Sequence, residues 1–236
     1  MLNHQVNRPT PGQIIARLEP LVLPRRAERM KRVLASRTGH VTFVFEDLVD
    51  PHNLSAALRS LEAFSFQDVH LVNPAARIEF ARKVTSGSER WLSVHGHGSL
   101  MRCVEGLEAH GYRVLASHLE APDREGRPPI PLTEIDWFRP TALIFGNEHA
   151  GVTEQALALA HGTFRIEMRG FVESLNLSVA AAITAFHARG AIDRLMRDGA
   201  DGARFALPAE RQAALYADWL RQTVNNAERI LEGADS

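Results

Sequence analysis

Short apolar segments that alternate with helical patterns constrain the fold of this chain more than any other feature. Their apolar residues are nearly continuous, which is typical of strands buried on both faces of a sheet. The segments are Val41–Asp47, Val69–Asn73, Tyr112–Ser117 and Thr141–Asn147, with a shorter one at Trp91–Val94. This alternation predicts an α/β fold whose parallel sheet is flanked by helices on both faces.

The stretch from Phe164 to Phe186 joins a predicted strand to a predicted helix. Apolar and polar residues alternate over Phe164–Met168, as in a half-buried strand, and Gly170 ends that pattern. Ser174 stands where the N-cap of a helix is expected. The apolar residues of the helix recur at helical spacing and are Leu175, Val179, Ile183 and Phe186. The polar residues of the turn are Glu173, Ser174, Asn176 and Ser178, and they either cap the helix or face a ligand.

Composition limits the class of protein. With 236 residues, 45% of them apolar, the chain is long enough to bury one good core and a short appendage. Cys103 is the single cysteine, which leaves neither a disulfide framework nor a cysteine-based zinc site and suits a reducing cytosol. No apolar run reaches the length of a membrane helix, and the first residues do not resemble a signal peptide. We therefore expect a soluble, cytoplasmic protein that does not bind a membrane.

Basic residues are concentrated at the start of the chain. Residues 1–40 carry eight Arg or Lys residues against two Glu, a formal charge of +6, and the remainder carries 19 basic and 26 acidic residues, a charge of −7. Pro24 opens a helical pattern with five of these basic residues, which are Arg25, Arg26, Arg29, Lys31 and Arg32. Such a basic helix is a usual footprint for nucleic acid, and the alternative is a solvated helix face.

Standard nucleotide-binding and metal-binding motifs are missing from the sequence. No G-x-G-x-x-G follows a strand and no P-loop lysine occurs, which argues against NAD and ATP. The eleven histidines include His95 and His97, but neither an HExxH motif nor a carboxylate cluster at ligand spacing accompanies them. The sequence therefore predicts no metal site.

Polar residues follow several of the predicted strands, at the edge of a parallel sheet where ligands bind. They lie at Asn53 and Arg59, at Ser117 and His118, in Gly146–Gly151 and in Ser174–Ser178. The Arg59 guanidinium would bind phosphate or stabilise an oxyanion, or else form a surface ion pair. Glu148 is either a general base or a capping group.

Three of these segments resemble, in the same order, the motifs of the SpoU/TrmH branch of the SPOUT RNA 2′-O-methyltransferase superfamily. The segments are DPHNLSAALRSLEAF, LIFGNEHAGV and IEMRGFVESLNLSVAAAI. The residues at motif positions are Asn53 and Arg59 in the first, Gly146, Glu148 and Gly151 in the second, and Ser174, Leu175, Asn176 and Ser178 in the third. The likeness runs from about Val41 to Gly190.

The resemblance implies a fold, a cofactor and an assembly. The C-terminal part of the sheet would be threaded into a deep trefoil knot, an exception to the rule that chains avoid knots. S-Adenosylmethionine would bind in that knot as methyl donor, and a homodimer would place the active site at the subunit interface. The implied cofactor-binding residues are Ser117, Gly146, Ile166, Met168 and Leu175. Backbone amides and apolar side chains would form the adenine pocket, which explains the missing glycine-loop signature.

The resemblance also implies the reaction, which is 2′-O-methylation of a ribose in RNA. The residues it assigns to catalysis are Arg59, Asn53, Glu148, Ser174 and Asn176. Arginine is a poor base at neutral pH, so we interpret Arg59 as orienting the phosphate and stabilising the 2′-oxyanion. The other four would hold Arg59 and the ribose in place.

Within the branch, the likeness is to the TrmH subgroup, which methylates guanosine 18 in the D-loop of tRNA. The sequence then divides into a basic helical N-terminal extension (residues 1–40), a catalytic domain (41–198) and a C-terminal helical extension (199–236) with one helix over Pro208–Leu231. Departures from the subgroup occur at Asp50, Ser65 and Glu167, where lysine, glycine and proline are common. A 23S rRNA methyltransferase of the same family and a non-catalytic RNA-binding relative stay open as alternatives.

Overall fold

The computed structural model describes residues 9–48, 50–72, 87, 89–147 and 149–232. The strands are β1 (Val41–Glu46), β2 (Asp68–Val72), β3 (Ser93–His97), β4 (Arg113–Ser117), β5 (Ile130–Pro131), β6 (Thr141–Phe145) and β7 (Gly162–Arg165). The α-helices are α1 (Pro11–Leu18), α2 (Pro24–Ala35), α3 (Pro51–Ala63), α4 (Leu100–Ala109), α5 (Glu154–Leu159), α6 (Leu177–Arg197), α7 (Ala209–Thr223) and α8 (Ala227–Glu232). None of these helices combines the length and the apolar character that crossing a membrane requires.

The strands form one seven-stranded sheet in the order β3-β2-β1-β6-β4-β7-β5. Every pair of neighbouring strands is parallel, so the predicted α/β fold with a parallel sheet is confirmed. Because parallel strands end at the same edge, the segments that follow β1, β6, β4 and β7 emerge side by side. The trefoil knot that the resemblance implies stays a prediction.

Helices cover both faces of the sheet. On one face, α3 and α6 pack on alternate residues of the strands, for example Phe43, Phe45 and Phe145. On the other face, α4 and α5 pack on the intervening residues, including Val44 and Ile144. This arrangement explains why the strand segments are apolar without interruption.

The junction between β7 and α6 differs from the prediction over Phe164–Met168. β7 ends at Arg165, because its two neighbours end there: Ser117 of β4 pairs with Phe164, and Pro131 of β5 pairs with Arg165. The predicted N-cap at Ser174 is also wrong, since the helix begins two residues later. Asn176 is the N-cap, and its side chain accepts a hydrogen bond from the backbone N–H of Ser178.

The two sides of α6 differ in the size and the burial of their side chains. The alanine run, with Ala181, Ala185 and Ala188, is the buried side and packs against α3. The larger apolar residues Val179, Ile183 and Phe186 are exposed. Small side chains allow the backbones of the two helices to approach closely, and this leaves the bulky stripe on the surface.

The loop that ends α3 contains one of the departures from the TrmH subgroup. Ser65 has φ +64°, a left-handed conformation that favours glycine. Arg189 of α6 stabilises this turn by donating hydrogen bonds to the carbonyl oxygens of Phe64 (3.0 Å) and Ser65 (3.2 Å).

Three further segments differ from the sequence-based predictions. The strand predicted at Trp91–Val94 starts at Ser93 and continues to His97. The segment Pro122–Pro131, whose proline, glycine and charged residues predict a loop, ends in the short strand β5. The single helix predicted over Pro208–Leu231 is divided into α7 and α8, because Asn226 adopts a positive φ of +58° between them.

The chain divides into two compact units. One consists of Thr38–Phe205 and contains the sheet, and the other consists of the described parts of Met1–Arg37 and Ala206–Ser236. In the second unit, α1 packs against α7 and α8, and Arg17 Nη1 donates a 2.9 Å hydrogen bond to the carbonyl oxygen of Leu231. The two terminal extensions therefore fold together.

Candidate active site

The loop after β6 makes the closest backbone approach in the site. Gly146 is buried, and a Cβ atom at this position would lie 2.0 Å from the carbonyl oxygen of Gly151. Gly151 itself has φ +71°. Glycine at both positions allows the loop to fold back on itself, with Asn147 and Gly151 exchanging two backbone hydrogen bonds of 2.9 Å.

Asn147 organises this loop and ties it to the end of β1. Its Oδ1 accepts hydrogen bonds from the backbone N–H groups of His149 (2.8 Å) and Ala150 (3.1 Å). Its Nδ2 donates a 2.8 Å bond to the carbonyl oxygen of Asp47. Sequence reasoning did not assign Asn147 a role, although it lies next to Gly146 in the second motif. The structure identifies it as a positioning residue.

A buried carboxylate anchors the far side of the same loop. Glu46, at the end of β1, is 3% exposed. Its carboxylate accepts a 2.8 Å hydrogen bond from Thr153 Oγ1 and a 3.3 Å bond from the backbone N–H of Thr153. Thr153 Oγ1 also accepts from the N–H of Ala156 and so caps α5. The loop between β6 and α5 is therefore held at its start by Asn147 and at its end by Thr153, and both residues hydrogen-bond to the end of β1.

The loop after β4 is held by a histidine. The backbone N–H of His118 donates to the carbonyl oxygen of Phe164 at 2.9 Å. Its Nδ1 accepts from the N–H groups of Glu120 (3.1 Å) and Ala121 (2.8 Å). Because both donors are backbone amides, Nδ1 carries no proton in this arrangement. His118 thus shapes the chain that leaves β4 beside Ser117.

The start of α6 joins the first and third motifs. Asn176 Nδ2 donates a 2.9 Å hydrogen bond to Asn53 Oδ1 on the first turn of α3. Asn176 Oδ1 accepts from the N–H and the hydroxyl group of Ser178, at 2.9 and 2.6 Å. Two residues that are 123 positions apart in the sequence are therefore in direct contact.

A cleft of about 420 Å³ opens between these three loops. Its walls come from the loop after β4, the loop after β6 and the segment from β7 to α6. All five residues predicted to bind the cofactor line it, and these are Ser117, Gly146, Ile166, Met168 and Leu175. Ser174 also lines the cleft. Bare backbone, apolar side chains and polar side chains such as Arg165 and Glu173 all contribute to the wall. This mixture suits a flat, partly polar ligand such as a nucleoside.

The remaining predicted catalytic residues do not line this cleft among the described residues. Asn176 follows the lining residues Ser174 and Leu175 and holds Asn53 beside them. Arg59 lies six residues after Asn53, about 9 Å further along the axis of α3. It is exposed and forms no hydrogen bond or ion pair with the residues that the structure describes. Glu148 lies outside the described residues.

The predicted RNA-binding residues of α2 are all exposed. Arg25, Arg29 and Arg32 follow one another at helical spacing and form no ion pair with the described part of the chain. Lys31 differs from them, because its Nζ lies 2.5 Å from Glu19 Oε1 and 5.5 Å from the centre of the Tyr216 ring. Four arginines, including Arg26, are thus free to meet an anion, whereas the Lys31 charge is compensated within its own unit.

Comparisons with known proteins agree with the three motifs. The SpoU rRNA Methylase family model matches residues 40–186. The chain is 38% identical over 197 residues to the tRNA (guanosine(18)-2′-O)-methyltransferase of Thermus thermophilus, covering 84% of this chain and 96% of that protein. Two solved structures share the fold. The A. aeolicus TrmH/SpoU tRNA modifying enzyme has a TM-score of 0.70 at 24% identity and covers 85% of this chain and 97% of that one. An AdoMet-bound rRNA methyltransferase from Sinorhizobium meliloti has a TM-score of 0.54 at 24% identity, covering 69% and 60%.

Replacing Gly146 with alanine tests whether the close approach shapes the cleft. The new methyl group would collide with backbone atoms of Gly151 and Val152, which cannot rotate away as a side chain would. We expect Gly146→Ala to lower the free energy of unfolding by about 1–3 kcal/mol or more, measured by urea denaturation. Gly106→Ala is the matched control, because Gly106 lies in α4 with open space around it. The free energy of unfolding of the control variant should increase by up to about 1 kcal/mol. Equal effects of the two substitutions would contradict the close approach.

Proposed function

The chain belongs to the SpoU rRNA Methylase family, and on this basis we propose that it transfers a methyl group from S-adenosylmethionine to the ribose 2′-oxygen of guanosine 18 in tRNA. The T. thermophilus relative, which the chain matches over nearly its whole length, carries out this reaction by name. The observation that supports the proposal most directly is the contact between Asn53 and Asn176, which brings the first and third motifs together beside the cleft.

The cleft has the properties that S-adenosylmethionine requires. Gly146 presents bare backbone, whose amide and carbonyl groups can hydrogen-bond a purine edge. Ile166, Met168 and Leu175 offer apolar surface for the flat face of the ring, and Ser117 offers a hydroxyl group. The bound cofactor supplies an electrophilic methyl group on a positively charged sulfur. The S. meliloti structure, which contains AdoMet, has the same fold.

Arg59 is the residue to which we assign stabilisation of the charge that develops on the ribose. The cofactor would supply the methyl group to the 2′-oxygen, and the ribose hydroxyl proton would pass to solvent. A guanidinium beside the 2′-oxygen lowers the energy of this step because it offers fixed positive charge and hydrogen-bond donors. Asn53, held by Asn176, and Ser174 would orient the ribose. The role proposed for Glu148 is to support the same group.

Two features support a homodimer with a shared active site. Arg59 lies on an exposed face of α3 and does not line the cleft of its own subunit among the described residues. The neighbouring helix α6 exposes an apolar stripe, with Val179 45%, Ile183 38% and Phe186 67% exposed. A second copy of the chain would cover this stripe and bring a ribose between Arg59 and a cleft.

Charged substitutions in the stripe test the dimer. We expect the double variant Ile183→Asp and Phe186→Asp to dissociate, because two carboxylates would have to be buried without partners. Light scattering should then give the mass of one chain, and methyl transfer should be abolished. Met101→Asp is the control, since Met101 is 47% exposed on α4 at the other face of the sheet. A wild-type protein that is monomeric and fully active would contradict the shared site.

Ribosomal RNA is the alternative substrate. The family model is named for rRNA, and the S. meliloti structure is an rRNA methyltransferase, although at 24% identity that likeness shows the fold alone. Every residue discussed above would serve both reactions, so acceptor assays with tRNA and with 23S rRNA separate the two. The cytoplasmic location stays a prediction for either substrate.

Arg59→Ala separates chemistry from cofactor binding. We expect methyl transfer to tRNA to fall about 10²–10³-fold, or about 2.7–4 kcal/mol, because the variant cannot make one charge-assisted hydrogen bond in the transition state. The affinity for S-adenosylhomocysteine, measured by calorimetry, should stay close to that of wild type. Arg102→Ala removes an exposed arginine from α4 and should change neither quantity. An Arg59→Ala enzyme within about twofold of wild type would show that Arg59 has no such role.

We further propose that the exposed arginines of α2 hold the phosphate backbone of tRNA. Contacts of this kind position the RNA without reading its sequence. They suit a segment that lies outside the three motifs and whose arginines form no ion pair with the described residues. The charge of +6 on residues 1–40, from eight basic and two acidic residues, favours the same role.

Salt dependence tests this role of α2. Replacing Arg25, Arg26 and Arg29 with alanine should weaken tRNA binding and reduce the slope of log affinity against log salt by about 0.7–0.9 for each phosphate group that the variant does not neutralise. Lys31→Ala should change the slope less than Arg29→Ala does, because Glu19 already compensates Lys31. The methylated nucleotide should stay the same. An unchanged affinity and slope in the triple variant would show that this face of α2 is only solvated and does not bind RNA.

A further inference from the structure

Three side chains with metal-ligand atoms converge on the sheet face that α4 covers. They are His70 on β2, His97 at the end of β3 and Cys103 on α4, and their ligand atoms all lie within 4.8 Å of one another. Cys103 is 1% exposed, and both histidines are half-buried. The sequence predicted no metal site, because neither an HExxH motif nor a carboxylate cluster accompanies the histidines and Cys103 is the single cysteine.

The parallel register of β2 and β3 creates this cluster. His70 is aligned with His95, and Val72 is aligned with His97. Side chains alternate along a strand, so His70 and Val72 lie on the same face as His95 and His97. The two histidine side chains of β3 therefore flank His70, and α4 places Cys103 over this face.

Packing orients the histidine rings. The His70 ring stacks between those of His95 and His97, with ring centres 4.8 and 5.1 Å away and nearly parallel planes. His95 is in turn held by Asp68, whose Oδ1 lies 2.9 Å from His95 Nε2. Stacking therefore holds the His70 ring between its two neighbours, with its Nδ1 beside His97 Nε2.

The spacing of the ligand atoms is close to that of a tetrahedral metal site. His70 Nδ1 and His97 Nε2 are 2.9 Å apart. Two histidine nitrogens on one zinc ion lie about 3.3 Å apart, and a nitrogen and a thiolate sulfur about 3.6 Å apart, as follows from Zn–N and Zn–S bonds of about 2.0–2.1 and 2.3 Å. Side-chain shifts of about 1 Å would bring the observed separations, all within 4.8 Å, to these values.

We propose that His70, His97 and Cys103 form a binding site for a Zn²⁺ ion, with the fourth position occupied by water. Two imidazoles and one thiolate suit zinc, since its ligands in proteins are histidine nitrogen, cysteine sulfur and carboxylate oxygen. On binding, the Cys103 thiol loses its proton to solvent. The histidine that donates the hydrogen bond between the two rings gives up that proton and takes one from solvent at its other ring nitrogen, so both histidines bind as neutral imidazoles.

The proposed metal site lies at the edge of the sheet, away from the cleft to which methyl transfer is assigned. β3 is the edge strand and pairs only with β2 in the described sheet. The cleft, in contrast, lies among the loops after β4, β6 and β7. A metal ion bound to β2, β3 and α4 would connect the edge strand to the layer that covers it. It should therefore stabilise the fold without taking part in catalysis.

Cobalt provides the most direct test, because a thiolate ligand gives Co²⁺ a strong absorption in the near ultraviolet. Enzyme treated with a chelator and then titrated with Co²⁺ should develop this band at one equivalent per chain. Addition of Zn²⁺ should abolish it, and Zn²⁺ should raise the melting temperature by several degrees. Methyl transfer should be the same with and without the metal.

Substitutions decide whether the three residues are the ligands. Cys103→Ala should remove the thiolate band, and His97→Ala should weaken Zn²⁺ binding by at least about tenfold in competition with a coloured chelator. His110→Ala, an exposed histidine of the α4 C-terminus, should change neither. S-Adenosylhomocysteine binding by each variant verifies that it is folded. If no thiolate band forms, or if metal binding persists in both variants, the cluster is a hydrogen-bonded histidine pair beside a buried thiol, and the proposal is wrong.

Discussion

The close backbone approach at Gly146 is the constraint on which the rest of the site depends. Only a residue without Cβ allows the chain to return so near that Asn147 and Gly151 can pair. This pairing points the Asn147 side chain at the carbonyl oxygen of Asp47, and so the turns after β1 and β6 are held at a fixed separation. The cleft is therefore shaped by backbone geometry, and its side chains add both apolar and polar surface.

Because Arg59 does not line the cleft of its own subunit, assembly of two subunits can control methyl transfer in our proposal. A guanidinium on an exposed helix face is solvated and screened, so it has little effect on charge at a distance. The same group acts much more strongly once a substrate and a second surface exclude water around it. The apolar stripe of α6, which includes Ile183 and Phe186, lies on the helix that packs against α3 and offers such a surface. Assembly and catalysis are thereby coupled in our proposal.

The basic residues of α2, in the second unit, differ in whether a described acidic group lies beside them. This unit, built from both ends of the chain, carries exposed arginines on α2 that no described acidic group compensates. Lys31 shows the contrast, since Glu19 and the Tyr216 ring hold it in place. Backbone contacts that depend on charge alone hold an RNA without selecting a nucleotide. Selection would then fall to the cleft and the ribose-binding residues.

Local properties of the chain determined the fold class, the order of the elements and most of the site. Apolar runs and the three motifs are short-range features, and each can be recognised in the sequence without its partners. Only the tertiary structure decided where β7 ends, because that depends on the lengths of β4 and β5. It also decided how far the larger apolar residues of α6 are exposed and that His70, His97 and Cys103 meet. These outcomes depend on strand register and helix packing between residues far apart in the chain, which no local pattern specifies.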